Sequence, residues 1–166
     1  MGVNYENSSY IFFDSISIIS NAGQSVEDKL FTDLNNSIDA LGSRIAVCSK
    51  ISTKNKPDEE TLKFAKKKLD ELTPVLAHIN YLAIERCSFS EKKELAYSML
   101  IAKNNAKRQS TLELVEATEN MTFPFNTESQ AKFDALSGEI KTFLTNSSFF
   151  SKPFDVLAFY ETVADM

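Results

Sequence analysis

The sequence predicts an all-α fold, a single-domain bundle of five or six helices, and three observations carry that prediction. Apolar residues recur at alternating steps of three and four over most of the chain, the spacing of one helix face. Gly and Pro number only four each in 166 residues, too few for the many tight corners of a β sandwich. Ser, Thr and Pro stand where stripes begin, with acids just behind them, as helix starts require.

The N-terminal segment, 1–24, contains SYIFFDSISIIS. Phe12, Ile16 and Ile19 fit a helix face, whereas Ile16 and Ile18 among serines fit a strand. No second strand offers itself for pairing, so a helix is expected. The next stripe, Phe31, Leu34, Ile38, Leu41, Ile45 and Cys48, starts at about Val26, with Ser25 and Asp28 as a capping box. A polar linker, SKISTKNK, follows it.

Pro57 with Asp58, Glu59 and Glu60 opens a further helix, because its missing N–H is harmless in a first turn and acids suit the positive end of the dipole. Leu62, Ala65, Leu69, Leu72, Leu76, Ile79 and Ala83 hold one phase across Pro74. One helix from 57 to about 87, kinked at Pro74, is therefore expected. With the helix before it, it makes a long antiparallel hairpin over about 26–87. Ser90, Glu91 and Glu94 open another helix, read as continuous through the polar stretch KNNAKRQS to Leu112, Leu114 and Val115. After the loop MTFPFNTES, Phe133, Leu136, Ile140, Phe143 and Leu144 mark a fifth. Pro153 starts a short C-terminal helix over 153–166, with Phe154, Leu157, Tyr160 and Val163 or Ala164 facing inward. Leu157 is expected in the core.

A net charge of −5 argues against a dedicated nucleic-acid binder, whose usual footprint is basic. The apolar runs fall short of the ~20 residues of a membrane span, so no transmembrane segment is expected. The opening MGVNYENSSYIFF lacks a basic n-region and reads as no secretory signal. A cytoplasmic chain, or one exported by another route, follows from that reading.

His78, the only histidine, stands near Glu85 and Cys87 in VLAHINYLAIERCSF. On a helix wheel His78 falls at about 200° and Cys87 at about 20° from Leu76. A base and nucleophile so opposed cannot exchange a proton, so no catalytic residues are assigned. One histidine and two distant cysteines make no zinc cage, and neither a metal nor a cofactor is expected. A straight 57–87 helix would hold Cys48 and Cys87 roughly 45 Å apart, so both are expected as free, buried thiols with no disulfide.

Two basic groups and one aromatic pair form the candidate interaction surface: Lys63, Lys66 and Lys67; Lys103, Lys107 and Arg108; and Phe123 with Phe125 around Pro124. No aromatic is read as interleaving the lysines. The expected function is that of a non-enzymatic helical interaction module, an adaptor, inhibitor, chaperone or effector-like protein binding a protein partner of acidic character. Two rival classes are an enzyme whose carboxylates and tyrosines converge from different helices, and a ligand-sensing or nucleic-acid-associated regulator.

Overall fold

The computed structural model describes residues 25–122 and 127–166, and it is all-helical, with no strand among those residues. The N-terminal segment and the Phe123–Phe125 pair lie outside them. The elements are α1 (Val26–Lys54), α2 (Glu59–Lys67), α3 (Leu69–Leu72), a 3₁₀ turn (Thr73–Val75), α4 (Leu76–Cys87), α5 (Phe89–Asn105), α6 (Gln109–Thr122), α7 (Thr127–Asp134), α8 (Gly138–Asn146) and α9 (Val156–Ala164).

Side-chain caps fix several starts. The Ser25 hydroxyl accepts the Asp28 N–H at 3.1 Å and donates to the Asp28 carboxylate at 2.7 Å, which is the box the sequence announced. Asp58 accepts the Thr61 N–H at 2.8 Å, so α2 starts one residue after that cap and Pro57 stays outside the helix. Ser137 and Asp155 do the same for α8 and α9.

Three expected continuous helices are interrupted. The run over 57–87 breaks at Lys68, whose φ of −118° and ψ of 18° are not helical, and tightens again into the 3₁₀ turn that contains Pro74. The helix expected to cross KNNAKRQS stops at Asn105 and restarts at Gln109. Its linker is held by α1: the Glu27 carboxylate accepts the backbone N–H groups of Lys107 at 2.6 Å and Arg108 at 3.2 Å. Those donors would otherwise seek partners within a helix, and an acceptor from elsewhere in the chain makes the break affordable. The fifth stripe is divided between α7 and α8, because Ser137 caps a new start where Phe133 and Ile140 had suggested one helix.

Burial gathers around two cores. In the first, α1 packs along α5 and against α6, joining Leu34 and Leu41 to Leu95, Met99, Ala102 and Val115. The second collects Leu72, Val75, Leu76 and Ile79 with Ile140, Leu144 and a phenylalanine group. Phe149, Phe150, Phe154 and Phe159 pack ring to ring, with centroids 4.9–5.8 Å apart. The SSFF stretch thus folds inward, as lids on a core do.

Cys48 and Cys87 are joined in a disulfide, with Cα atoms 6.1 Å apart, which overturns the expectation of two free thiols. That expectation rested on a straight helix. The breaks at Lys68 and Thr73–Val75 let both α2 and α4 lie against α9 instead of running end to end, so the chain returns to α1 within those residues. Helix α1 also runs on to Lys54, which places Cys48 inside it, on its buried side, rather than at its end.

The C-terminal helix docks on α2 and α4, but through a different face from the one expected. Leu157 is 66% exposed, while Phe159 and Val163 are buried. The stripe had been counted from Pro153. The helix begins at Val156, so Phe154 precedes it, and the inward positions are Val156, Phe159 and Val163.

Candidate interaction surfaces

The first basic group lies on α2, whose Thr61 and Ala65 face the second core. Lys63 pairs with Glu59 one turn earlier at 2.6 Å. Lys66 points the other way and donates to the Ala164 carbonyl at 3.0 Å, placing positive charge at the C-terminal end of α9, where the helix dipole favours it. Lys67 is exposed. Lys68, the last lysine of this cluster, reaches Glu139 at 3.2 Å and Glu71 at 3.4 Å. The hydrogen bond and charge of Glu139 hold its ammonium pKa above the ordinary lysine value, with Glu71 adding to them.

Between Lys63 and Lys66 sits Phe64, so an aromatic does interleave the lysines, contrary to expectation. Its ring stacks on Phe143 of α8, with centroids 3.7 Å apart and planes 10° from parallel. Both rings are half-buried. They floor a groove of about 720 Å³ between α2 and α8, edged by Lys63, Lys67 and Lys68 and by Asp58, Glu60 and Glu139. The Asp58 carboxyl is held below its ordinary pKa by the hydrogen bonds from Thr61. A second hollow of about 450 Å³ shares the ring pair and continues toward Thr142 and Asn146. The pair is therefore accessible from two sides. Sequence reasoning missed it because Phe64 and Phe143 are 79 positions apart, and only the break between α7 and α8 turns Phe143 toward α2.

The second basic group is elsewhere. Lys103 pairs with Glu119 of α6 at 3.1 Å, and the Arg108 guanidinium bonds Asp28 at 2.7 Å. Lys107 and Arg108 lie at the start of α1, whereas α2 follows the other end of that 29-residue helix. They do not form one basic face.

His78 is buried at 7% exposure, because α7 covers the side of α4 that the helix wheel had left open. Its ring centroid lies 5.4 Å from that of Phe133 and 6.1 Å from that of Tyr81, and its Nε2 has no hydrogen-bond partner among the described residues. Glu85 pairs instead with Lys92 at 2.6 Å. Burial, then the charge of Glu85, raises the Tyr81 phenol pKa. Cys87 is consumed by the disulfide. The three residues of VLAHINYLAIERCSF thus have three separate employments. Among the described residues no three His, Cys, Asp or Glu side chains gather to hold a metal ion, and no helix is long and apolar enough to cross a membrane.

No protein-family model, no curated protein and no solved structure matches the chain.

Proposed function

We propose that the chain is a non-enzymatic interaction protein that docks a protein partner in the groove between α2 and α8. The stacking of Phe64 on Phe143 at 3.7 Å carries this reading. A rigid aromatic floor gives a partner an apolar anchoring area at little cost in side-chain entropy, and aromatic positions dominate binding energy in interfaces. Lysines and carboxylates both edge the groove, so the partner segment is one with an apolar anchor flanked by charges, its acidic groups meeting Lys63 and Lys67.

The same reading takes the two cores as one domain, supported by the α1–α4 contact and by the Cys48–Cys87 bridge across them. It also places the working chain in an oxidising compartment, the setting in which disulfides persist. An extracytoplasmic placement fits the bridge better than the cytoplasm.

The test is affinity capture by the parent and by a Lys63→Glu/Lys67→Glu variant, quantified by mass spectrometry. Both side chains are exposed, so the variant is expected to keep its circular dichroism and melting temperature and to lose a partner that the parent retains. Equal capture by the folded variant overturns the groove as the docking site.

A further inference from the structure

At the C-terminal end of α1, Lys50, Lys54, Lys56 and Lys152 edge a hollow of about 460 Å³ that Val47 and Ile51 also line. At 100° per residue Val47, Lys50, Ile51 and Lys54 share one side of the helix, within about 100° of one another. Asn55, which follows the helix, brings in the lysine from the far end of the chain. Its side-chain amide donates to the carbonyls of Phe149 at 2.9 Å and Pro153 at 3.2 Å, so the loop that carries Lys152 is bound across the end of α1. Phe149 and Phe150 of that loop are buried, which fixes it from the other side.

The charge of this hollow is uncompensated. Lys63, Lys68, Lys103 and Lys132 each pair with a carboxylate, whereas no ion pair or hydrogen bond engages the ammonium groups of Lys50, Lys54, Lys56 and Lys152 among the described residues. All four side chains are exposed. In a chain of net charge −5 with 23 acidic residues, no Asp or Glu lines the hollow. The helix dipole favours a cation in the last turn of α1 and accounts for Lys54. It does not account for Lys50, which stands one turn earlier and repels Lys54, nor for Lys56 and Lys152, which lie outside the helix.

Like charges gathered in a recess focus their field on an anion. Lysine is a point charge with three donors, which suits the tetrahedral oxygens of phosphate and offers no planar fork for a carboxylate. The volume falls within the range of about 300–1,000 Å³ that small-ligand pockets occupy, and a recess suits a compact ligand better than it suits a flat bilayer. From charge, shape and donor type together, we infer that the hollow binds a small soluble ligand carrying two or more phosphate groups, held by Lys50, Lys54, Lys56 and Lys152, with its apolar part on Val47 and Ile51. The hollow shares no lining residue with the α2–α8 groove, so each is tested on its own.

The test is isothermal titration calorimetry of the full chain with inorganic tripolyphosphate, for which saturable binding at one site is expected. A Lys54→Gln/Lys152→Gln variant removes two of the charged donors and is expected to weaken binding by about ten-fold or more. A Lys63→Gln/Lys67→Gln variant removes the same charge from the groove and is expected to bind as the parent does. Both variants change exposed side chains, and circular dichroism checks that they fold. Equal weakening by the two variants assigns the binding to overall charge and overturns the proposal, as does the absence of saturable binding. Sedimentation with phosphatidylcholine vesicles containing phosphatidylinositol bisphosphate separates the two sources of phosphate. The parent is expected to bind tripolyphosphate more tightly than the accessible lipid headgroup; equal or tighter binding to the vesicles assigns the lysines to a membrane surface and overturns the proposal.

Discussion

Cys48, inside α1, is bonded to Cys87, the last residue of α4, 39 positions further along the chain. The closed loop contains α2, α3 and the 3₁₀ turn, elements of the second core, while its anchor Cys48 sits on a helix whose apolar stripe builds the first. The bond therefore fixes how the two cores meet. Arg44, one turn before Cys48, reinforces the same junction by donating from Nε to the Cys87 carbonyl at 2.8 Å.

Cross-linking a loop of this length lowers the entropy of the unfolded chain by an amount worth about 4 kcal/mol in the chain-entropy account. A Cys48→Ser/Cys87→Ser variant is expected to unfold at lower guanidinium concentration by up to that amount. A phosphine reductant should act on the parent in the same direction and leave the variant unchanged. Equal midpoints for oxidised and reduced parent would remove the bond from the stability of the fold.

The second prediction concerns acid. Asp28 accepts hydrogen bonds from Ser25 and Arg108, and these, with the Arg108 charge, hold its carboxyl pKa below the ordinary aspartate value. A folded-state pKa below the unfolded one means that the unfolded chain binds the proton more readily. The stabilisation is therefore present above the unfolded aspartate pKa of about 4 and is lost as the pH falls through the lower folded value. Urea midpoints measured from pH 6 downward should drop for the parent in that acidic window. An Asp28→Asn variant is expected to lose part of this drop and to start from a lower midpoint at pH 6. Parallel curves for the two proteins would show that the Asp28–Arg108 pair contributes nothing to folding.

How far the sequence disclosed this architecture depends on the range of the forces involved. The Ser25 box and the stripe of α1 are local: Leu34, Leu41 and Cys48 are buried as the spacing requires, while Phe31 and Ile45 of the same stripe are exposed. Interruptions were less visible, because they are decided by distant groups. The break after Asn105 is held by Glu27, eighty residues upstream of Lys107, and no pattern within KNNAKRQS announces an acceptor in another helix. The disulfide was hidden for the same reason: its geometry depends on the breaks at Lys68 and Thr73–Val75. Of the candidate surface, Lys63 and Lys67 were legible as exposed charge. Phe64 had no place in the stripe or in the lysine surface, and only its stacking on Phe143 distinguishes it.

The tail shows how a misplaced start rotates an entire face, and it gives the last prediction. Asp155 caps α9 by accepting the Ala158 N–H at 3.0 Å, so the inward positions are counted from Val156. Phe159 is then surrounded by Phe149, Phe150 and Phe154, with ring centroids 5.0, 5.5 and 5.8 Å away. Leu157 faces outward. Phe159→Ala removes a buried ring and leaves a cavity, which typically costs about 3–5 kcal/mol. Leu157→Ala removes exposed carbon from a helix that tolerates alanine well, so its effect is expected within about 0.5 kcal/mol of zero. Urea denaturation of the two variants beside the parent measures the difference directly. A loss of more than about 2 kcal/mol for Leu157→Ala, with little for Phe159→Ala, would restore the stripe counted from Pro153 and reject the docking face described for α9.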